Sequence, residues 1–230
     1  MENKKGRVFL AEDDLSLGFV IKDNLEEEGF EVVHCTDGQA AIDRFNKEEF
    51  DICLLDVMMP IKDGLAVAKK IRQQSDVIPI LFLTAKSMEE DKVKGFLTGA
   101  DDYITKPFSM QELMMRMNVF LRRTRKLHSE TSEEYRIGKL KFSFTDLKLY
   151  TPDETISLTQ READLLRFLC KHANKVLKRE EVLTSVWGKD DYFLGRSMDV
   201  FISRLRKIFR DDDSIRIENI PRIGFKLIAP

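Results

Sequence analysis

The apolar residues of the first half fall into short runs that alternate with stretches of helical spacing. Arg7-Val-Phe-Leu-Ala11 is a β-branched and aromatic run, stopped by Glu12-Asp13-Asp14. Over residues 15–28, Leu17, Val20, Ile21 and Leu25 recur at the intervals of one helix face, and Gly29 stands where a helix would end. Residues 30–35 predict a second strand, and Asp37-Gly38 opens a helix to about Glu48. Residues 52–55 are nearly all apolar, as a strand buried on both faces requires. Beyond the turn Met59-Pro60 and Asp63-Gly64, the pattern predicts a helix over 65–74, a strand over 79–83, a helix near 89–98, a short strand at Tyr103-Ile104 and a helix over 109–124. Five such βα repeats predict an α/β domain, a doubly wound five-stranded parallel sheet with helices on both faces.

The second half reads differently. Residues 125–134 carry little apolar content and predict a linker. Short strands follow over 137–144 and 147–150, then Pro152-Asp-Glu and Ile156-Ser-Leu158. Thr159-Gln-Arg-Glu162 is a capping box ahead of Leu165, Leu166, Phe168 and Leu169. A second helix follows Lys178-Arg179 and ends near Trp187-Gly188. A third covers about 197–209, and 216–227 reads as a β-hairpin. The expected arrangement is residues 1–124, a linker over 125–134, and a smaller α+β domain over 135–230.

Composition narrows the class. With 43% hydrophobic and 34% charged residues the chain is too apolar for disorder, and it has no apolar run long enough to cross a membrane. The N-terminus lacks the apolar stretch of a signal peptide, and the three scattered cysteines form neither a disulfide framework nor a zinc spacing. The expectation is a soluble cytoplasmic protein. Residues 1–124 hold 17 lysines and arginines against 23 acids, and the remainder 21 against 17. The halves are therefore suited to different partners.

In a doubly wound sheet the binding crevice lies outside the carboxyl ends of the strands. Glu12, Asp13 and Asp14 follow the first strand, Asp56 the third, Thr84 the fourth, and Lys106-Pro107 the fifth. Carboxylates from two strands suit a hard cation such as magnesium. An aspartate can be the nucleophile that forms an acyl phosphate, with lysine and hydroxyl groups holding the phosphoryl oxygens. Asp14 reads as a helix cap or a solvent-facing acid, and Cys53 as core. A turnover phosphatase would need a general acid near its nucleophile, and residues 57–60 supply none.

These positions resemble the flavodoxin-like receiver domain of two-component response regulators. The resemblance implies that Glu12, Asp13, Asp56 and the Met58 carbonyl hold Mg2+, and that Asp56 accepts a phosphoryl group from a sensor histidine kinase. It further implies that Thr84 and Tyr103 switch, that Lys106 contacts the phosphoryl group, and that the Lys106-Pro107 bond is cis. Met58 and Lys86 flank the acceptor, which leads us to expect a long-lived phosphoryl state. Gly99-Ala-Asp-Asp-Tyr-Ile-Thr-Lys-Pro-Phe108 resembles the OmpR/PhoB subfamily. That implies a phosphorylation-driven homodimer through the fourth and fifth receiver helices, pairing Lys92 with Glu112, Asp102 with Arg116, and Asp101 with Arg123.

Three helices closed by a hairpin, with Arg196-Ser-Met-Asp-Val-Phe-Ile-Ser-Arg-Leu-Arg-Lys-Ile, resemble the winged helix-turn-helix of the same subfamily. This implies binding to promoter DNA at direct or inverted half-sites, with contacts from Arg196, Ser197, Phe201, Ser203, Arg204 and Arg206. The loop from Trp187 to Leu194 would meet RNA polymerase. Phe201 either touches a thymine methyl or packs inward. In the wing, Pro221 stands where relatives carry arginine, leaving Arg222 as the candidate contact.

Overall fold

The computed structural model describes residues 5–85, 99–126, 133–188 and 192–230, with the side chains of 122–126, 192–194, 196 and 197 outside that set. The chain divides into two compact units, Met1–Ser129 and Glu130–Pro230.

In the first unit β1 (Arg7–Ala11), β2 (Glu31–Cys35), β3 (Ile52–Asp56), β4 (Ile80–Ala85) and β5 (Asp102–Lys106) form one sheet in the order β2-β1-β3-β4-β5, with every pairing parallel. Side-chain alternation assigns the two faces. Val8 and Leu10, Ile52 and Leu54, and Leu81 and Leu83 join one cluster with Ile21 and Leu25 of α1 (Leu15–Glu27) and with Leu113, Met117 and Phe120 of α4 (Met110–Lys126). On the other face Phe9 packs against Phe45 of α2 (Gly38–Phe45) and against Phe50. The α3 helix (Gly64–Arg72) lies beside α2. The helix expected near 89–98 lies outside the described residues.

Aspartates set the helix starts at the sheet's carboxyl edge. Asp14, Asp37 and Asp63 each accept from backbone amides one to two residues into α1, α2 and α3. Gly29, at φ +86°, closes α1 in the left-handed region.

The second unit opens on an antiparallel sheet of β6 (Glu134–Ile137), β7 (Leu140–Ser143), β8 (Lys148–Tyr150) and β9 (Thr155–Ser157). The single strand expected over 137–144 is thus the end of one strand, a turn at Gly138-Lys139, and another strand. β6 begins at Glu134, the last residue of the expected linker, and ends at Ile137, where the expected strand began. Three helices follow: α5 (Gln160–Lys171), α6 (Arg179–Trp187) and α7 (Tyr192–Ile208). The hairpin of β11 (Arg216–Ile220) and β12 (Gly224–Ile228), with the two-residue β10 (Leu177–Lys178) against β12, forms the wing. The α7 helix begins five residues before its expected start, so Tyr192, Phe193 and Leu194 are helical rather than loop. No strong breaker separates them from Ser197, and Gly195 costs a helix only about 1 kcal/mol.

Candidate functional site

The polar ends of β1, β3 and β5 converge. Glu12 follows β1, and its amide bonds the Cys35 carbonyl, which continues the β1–β2 pairing by one residue. Asp56 closes β3, and its Oδ1 accepts from the Met58 amide at 2.9 Å. Lys106 closes β5 and reaches back between them, with Nζ 2.6 Å from Asp56 Oδ2 and 2.8 and 2.7 Å from the two oxygens of Glu12. The Lys106-Pro107 bond is cis. Thr84 is buried at the end of β4, and Tyr103 is buried with its ring 5.2 Å from Phe82.

Each carboxylate has its own environment. Glu12 is fully buried, and that desolvation lifts its carboxyl from the ordinary 4.5 to about 7. Neighbouring Asp56 adds to the rise, whereas Lys106 opposes it. Burial by itself would weaken the Lys106 ammonium, but its bonds to Asp56 and Glu12 outweigh this and raise its pKa. Asp13 is exposed and completes a group in which single oxygens of Glu12, Asp13 and Asp56 lie within 4.8 Å of one another. Glu12 Oε2 is buried without a hydrogen-bond donor of good geometry, although Lys106 Nζ stands at ion-pair distance. Two to three oxygens from one side, an open side at Asp13 and a spare buried acceptor fit magnesium, which takes few protein carboxylates and keeps waters.

The backbone makes room for this arrangement. A Cβ on Gly64 would lie 2.0 Å from the Asp56 carbonyl oxygen, so only glycine lets α3 start against the main chain of Asp56. Exposed apolar side chains follow these carboxylates in the chain: Leu15 and Phe19 one turn apart on α1, and Met58 and Ile61 after Asp56.

The residues expected at a dimer face are placed unevenly. Arg116 Nη1 bonds Asp102 Oδ2 at 2.8 Å and its Nη2 bonds Glu112 Oε1 at 3.0 Å, both within one chain. Asp101 corrects its expectation. It is fully buried, with Oδ2 accepting from Arg72 Nη2 at 2.8 Å and from the Ile80 amide at 2.9 Å, because α3 delivers an arginine to it. Lys92 and Lys86, and the Arg123 side chain, lie outside the described residues. Met115 and Val119, one turn apart on α4, are exposed.

In the second unit α7 turns Met198, Phe201, Ile202, Leu205 inward and shows Asp199, Ser203, Arg206, Lys207 outward. Phe201 is therefore not a DNA contact: it has no exposed surface and its ring lies 5.9 Å from that of Trp187. Arg204 is half-buried and bonds Glu162 Oε1 at 3.0 Å. Arg206 is exposed and donates from Nε to the Ile217 carbonyl at 2.9 Å. Arg196 and Ser197 fall on α7, their side chains outside the described set. Arg222 is exposed at the wing turn with φ +62°. Residues 189–191 of the expected polymerase loop lie outside the described residues, and Trp187 is the buried last residue of α6. Arg161 had no visible signal in the sequence; it is buried, with its guanidinium on the Val186 carbonyl and 5.2 Å from the Trp187 ring.

A receiver-type acidic pocket followed by a winged helix defines a two-component response regulator with DNA-binding output. Residues 8–118 match the response regulator receiver domain, and residues 153–227 match the C-terminal domain of transcriptional regulatory proteins. The chain belongs to the OmpR/PhoB-type response regulators, which are transcriptional regulators rather than classical enzymes. It is 46% identical over 228 residues to the transcriptional regulatory protein RprY of Bacteroides fragilis (strain YCH46), covering 99% of this chain and 97% of that one. It is 38% identical over 226 residues to TrcR of Mycobacterium tuberculosis (strain ATCC 25618 / H37Rv), covering 97% and 87%. Among solved structures it is similar to DrrB, a Thermotoga maritima OmpR/PhoB homolog, at 30% identity, TM-score 0.50 and coverage of 97% and 99%. Among the described residues no helix is long and apolar enough to cross a membrane.

Proposed function

We propose that Asp56 accepts a phosphoryl group from a sensor histidine kinase, and that the resulting acyl phosphate favours a homodimer that binds promoter DNA and regulates transcription. The observation that carries this is the bridge of Lys106 between Asp56 and Glu12. A carboxylate oxygen of Asp56 attacks phosphorus, the new O–P bond forms as the P–N bond of phosphohistidine breaks, and the imidazole leaves with those electrons. The Lys106 ammonium, already 2.6 Å from Asp56, is placed to follow the charge onto the phosphoryl oxygens. Glu12, Asp13, Asp56 and the Met58 carbonyl would hold Mg2+, which when bound neutralises phosphoryl oxygens in transfer. Leu15, Phe19, Met58 and Ile61 offer the donor protein an apolar rim.

Thr84 and Tyr103 form the switch in this reading, with Thr84 moving toward the phosphoryl group and Tyr103 lying inward. The dimer uses the exposed Met115 and Val119 with Glu112, Arg116 and Asp102, together with Lys92 and Arg123. A two-fold interface uses each contact twice. Ser203, Arg206, Arg196, Ser197 and Arg222 face half-sites, and Arg204 joins them by exchanging Glu162 for DNA. The segment after Trp187 remains our choice for the RNA polymerase contact, and the chain works in the cytoplasm.

The test is intact mass with peptide mapping after incubation with acetyl phosphate and magnesium, with oligomeric size read on the same samples. One phosphoryl group on Asp56 and a shift from monomer to dimer is expected. Wild type and Asp56→Asn behaving alike would refute the assignment.

A further inference from the structure

The DNA-facing helix carries one acid, Asp199, among its basic residues. It shares the outward stripe with Ser203 and Arg206, where a carboxylate would oppose phosphate. It does not stand alone. Arg179, the first residue of α6, grips it with a two-pronged fork, Nη1 to Oδ1 at 2.8 Å and Nη2 to Oδ2 at 2.9 Å. Nη2 also donates to the Gly195 carbonyl at 3.0 Å, so Arg179 holds two successive turns of α7.

The same arginine is tied to the wing. Its amide donates to the Ile223 carbonyl at 3.2 Å, beside Arg222, and its guanidinium lies 5.1 Å from the Phe225 ring of β12. One residue thus links the start of α6, the helix expected in the major groove, and the hairpin expected at the minor groove. Both partners of the pair are substantially solvated, so it adds little to stability. Its effect is geometric, since a planar fork on a carboxylate fixes orientation as well as distance.

We propose that the Arg179–Asp199 pair determines DNA specificity, by fixing the spacing of α7 and the wing and by keeping the Arg179 cation off the phosphates. The inference rests on the DNA-binding reading above. Removing the carboxylate frees a guanidinium at the same surface. That adds an indiscriminate phosphate contact and loosens the two reading elements together.

The experiment uses the full chain on two duplexes, a short one of random sequence and the tightest wild-type binder selected from a random pool, across a salt series. Asp199→Asn, nearly isosteric, should steepen the slope of log affinity against log salt by about 0.9 on the random duplex, as one extra phosphate contact requires. It should also reduce the selected-to-random affinity ratio about tenfold, the scale of one weakened base contact. Arg179→Gln breaks the pair from the other side and should lower that ratio without steepening the slope. In the Arg179→Gln background, Asp199→Asn should no longer steepen it. Identical slopes and ratios for wild type and Asp199→Asn would overturn the proposal. So would steepening that persists without Arg179, which would reduce Asp199 to simple repulsion. If wild type treated with acetyl phosphate and magnesium binds neither duplex, the DNA-binding reading itself falls, and that outcome is seen before any variant is compared.

Discussion

Replacing Lys106 with methionine keeps most of the side chain's bulk and removes the cation shared by Glu12 and Asp56 among the described residues. With Lys106 present, burial already lifts Glu12 from 4.5 to about 7. The folded chain therefore holds that proton more tightly than the unfolded chain. Stability must fall as pH rises from about 4.5 to about 7 and level off above, a total of about 3 kcal/mol from this group. Lys106 opposes the rise, so its loss extends the fall to higher pH. Deleting one partner of a buried pair costs about 3–5 kcal/mol, and the partial exposure of Lys106 puts this case at the low end. We expect Lys106→Met to lose about 3 kcal/mol near pH 8 but about 1.5 kcal/mol near pH 5.5, where Glu12 is protonated with or without the lysine. Magnesium should restore more stability to the variant than to wild type. Urea unfolding followed by far-UV circular dichroism reads the loss. The only tryptophan, Trp187, lies in the second unit, so its fluorescence gives a control transition that should not move. A loss equal at both pH values, or larger in acid, would refute the argument.

Three further outcomes follow from other parts of the molecule. Phe201→Ala should destabilise the second unit by about 3–5 kcal/mol, read from Trp187 fluorescence during unfolding, because a fully buried ring leaves a cavity. An effect on DNA affinity at unchanged stability would return Phe201 to the DNA surface. Gly64→Ala should abolish phosphorylation by acetyl phosphate, since the added Cβ collides with the Asp56 carbonyl, and peptide mapping would detect any that persists. Burial pushes the Cys53 and Cys170 thiols up to about 12, so both should resist alkylation in the native protein near pH 8 and react only on unfolding.

The parallel sheet and its polar edge were legible because each buried strand is a short apolar run and the residue after it is exposed to chemistry. The order Glu12, Asp56, Thr84, Lys106 needed no tertiary information. Pairings between distant segments did. Asp101 looks like a surface acid until Arg72, 29 residues earlier, is seen to satisfy it. The Arg179–Asp199 fork joins two helices and was hidden for the same reason. Phe201 had a local signal: Met198, Phe201, Ile202, Leu205 and Phe209 recur on one helix face and are all buried. The strand β6 was missed because Glu134-Tyr-Arg-Ile is only four residues long and buries only Ile137 fully.

The central claim is that chemistry at Asp56 sets the affinity of the second unit for DNA. Its most direct measurement is the anisotropy of a selected duplex titrated with full-length protein, before and after acetyl phosphate and magnesium, for wild type and Asp56→Asn. Tighter binding is expected only in treated wild type, in proportion to the fraction carrying a phosphoryl group on Asp56. Equal tightening in Asp56→Asn, or none in fully phosphorylated wild type, would contradict it.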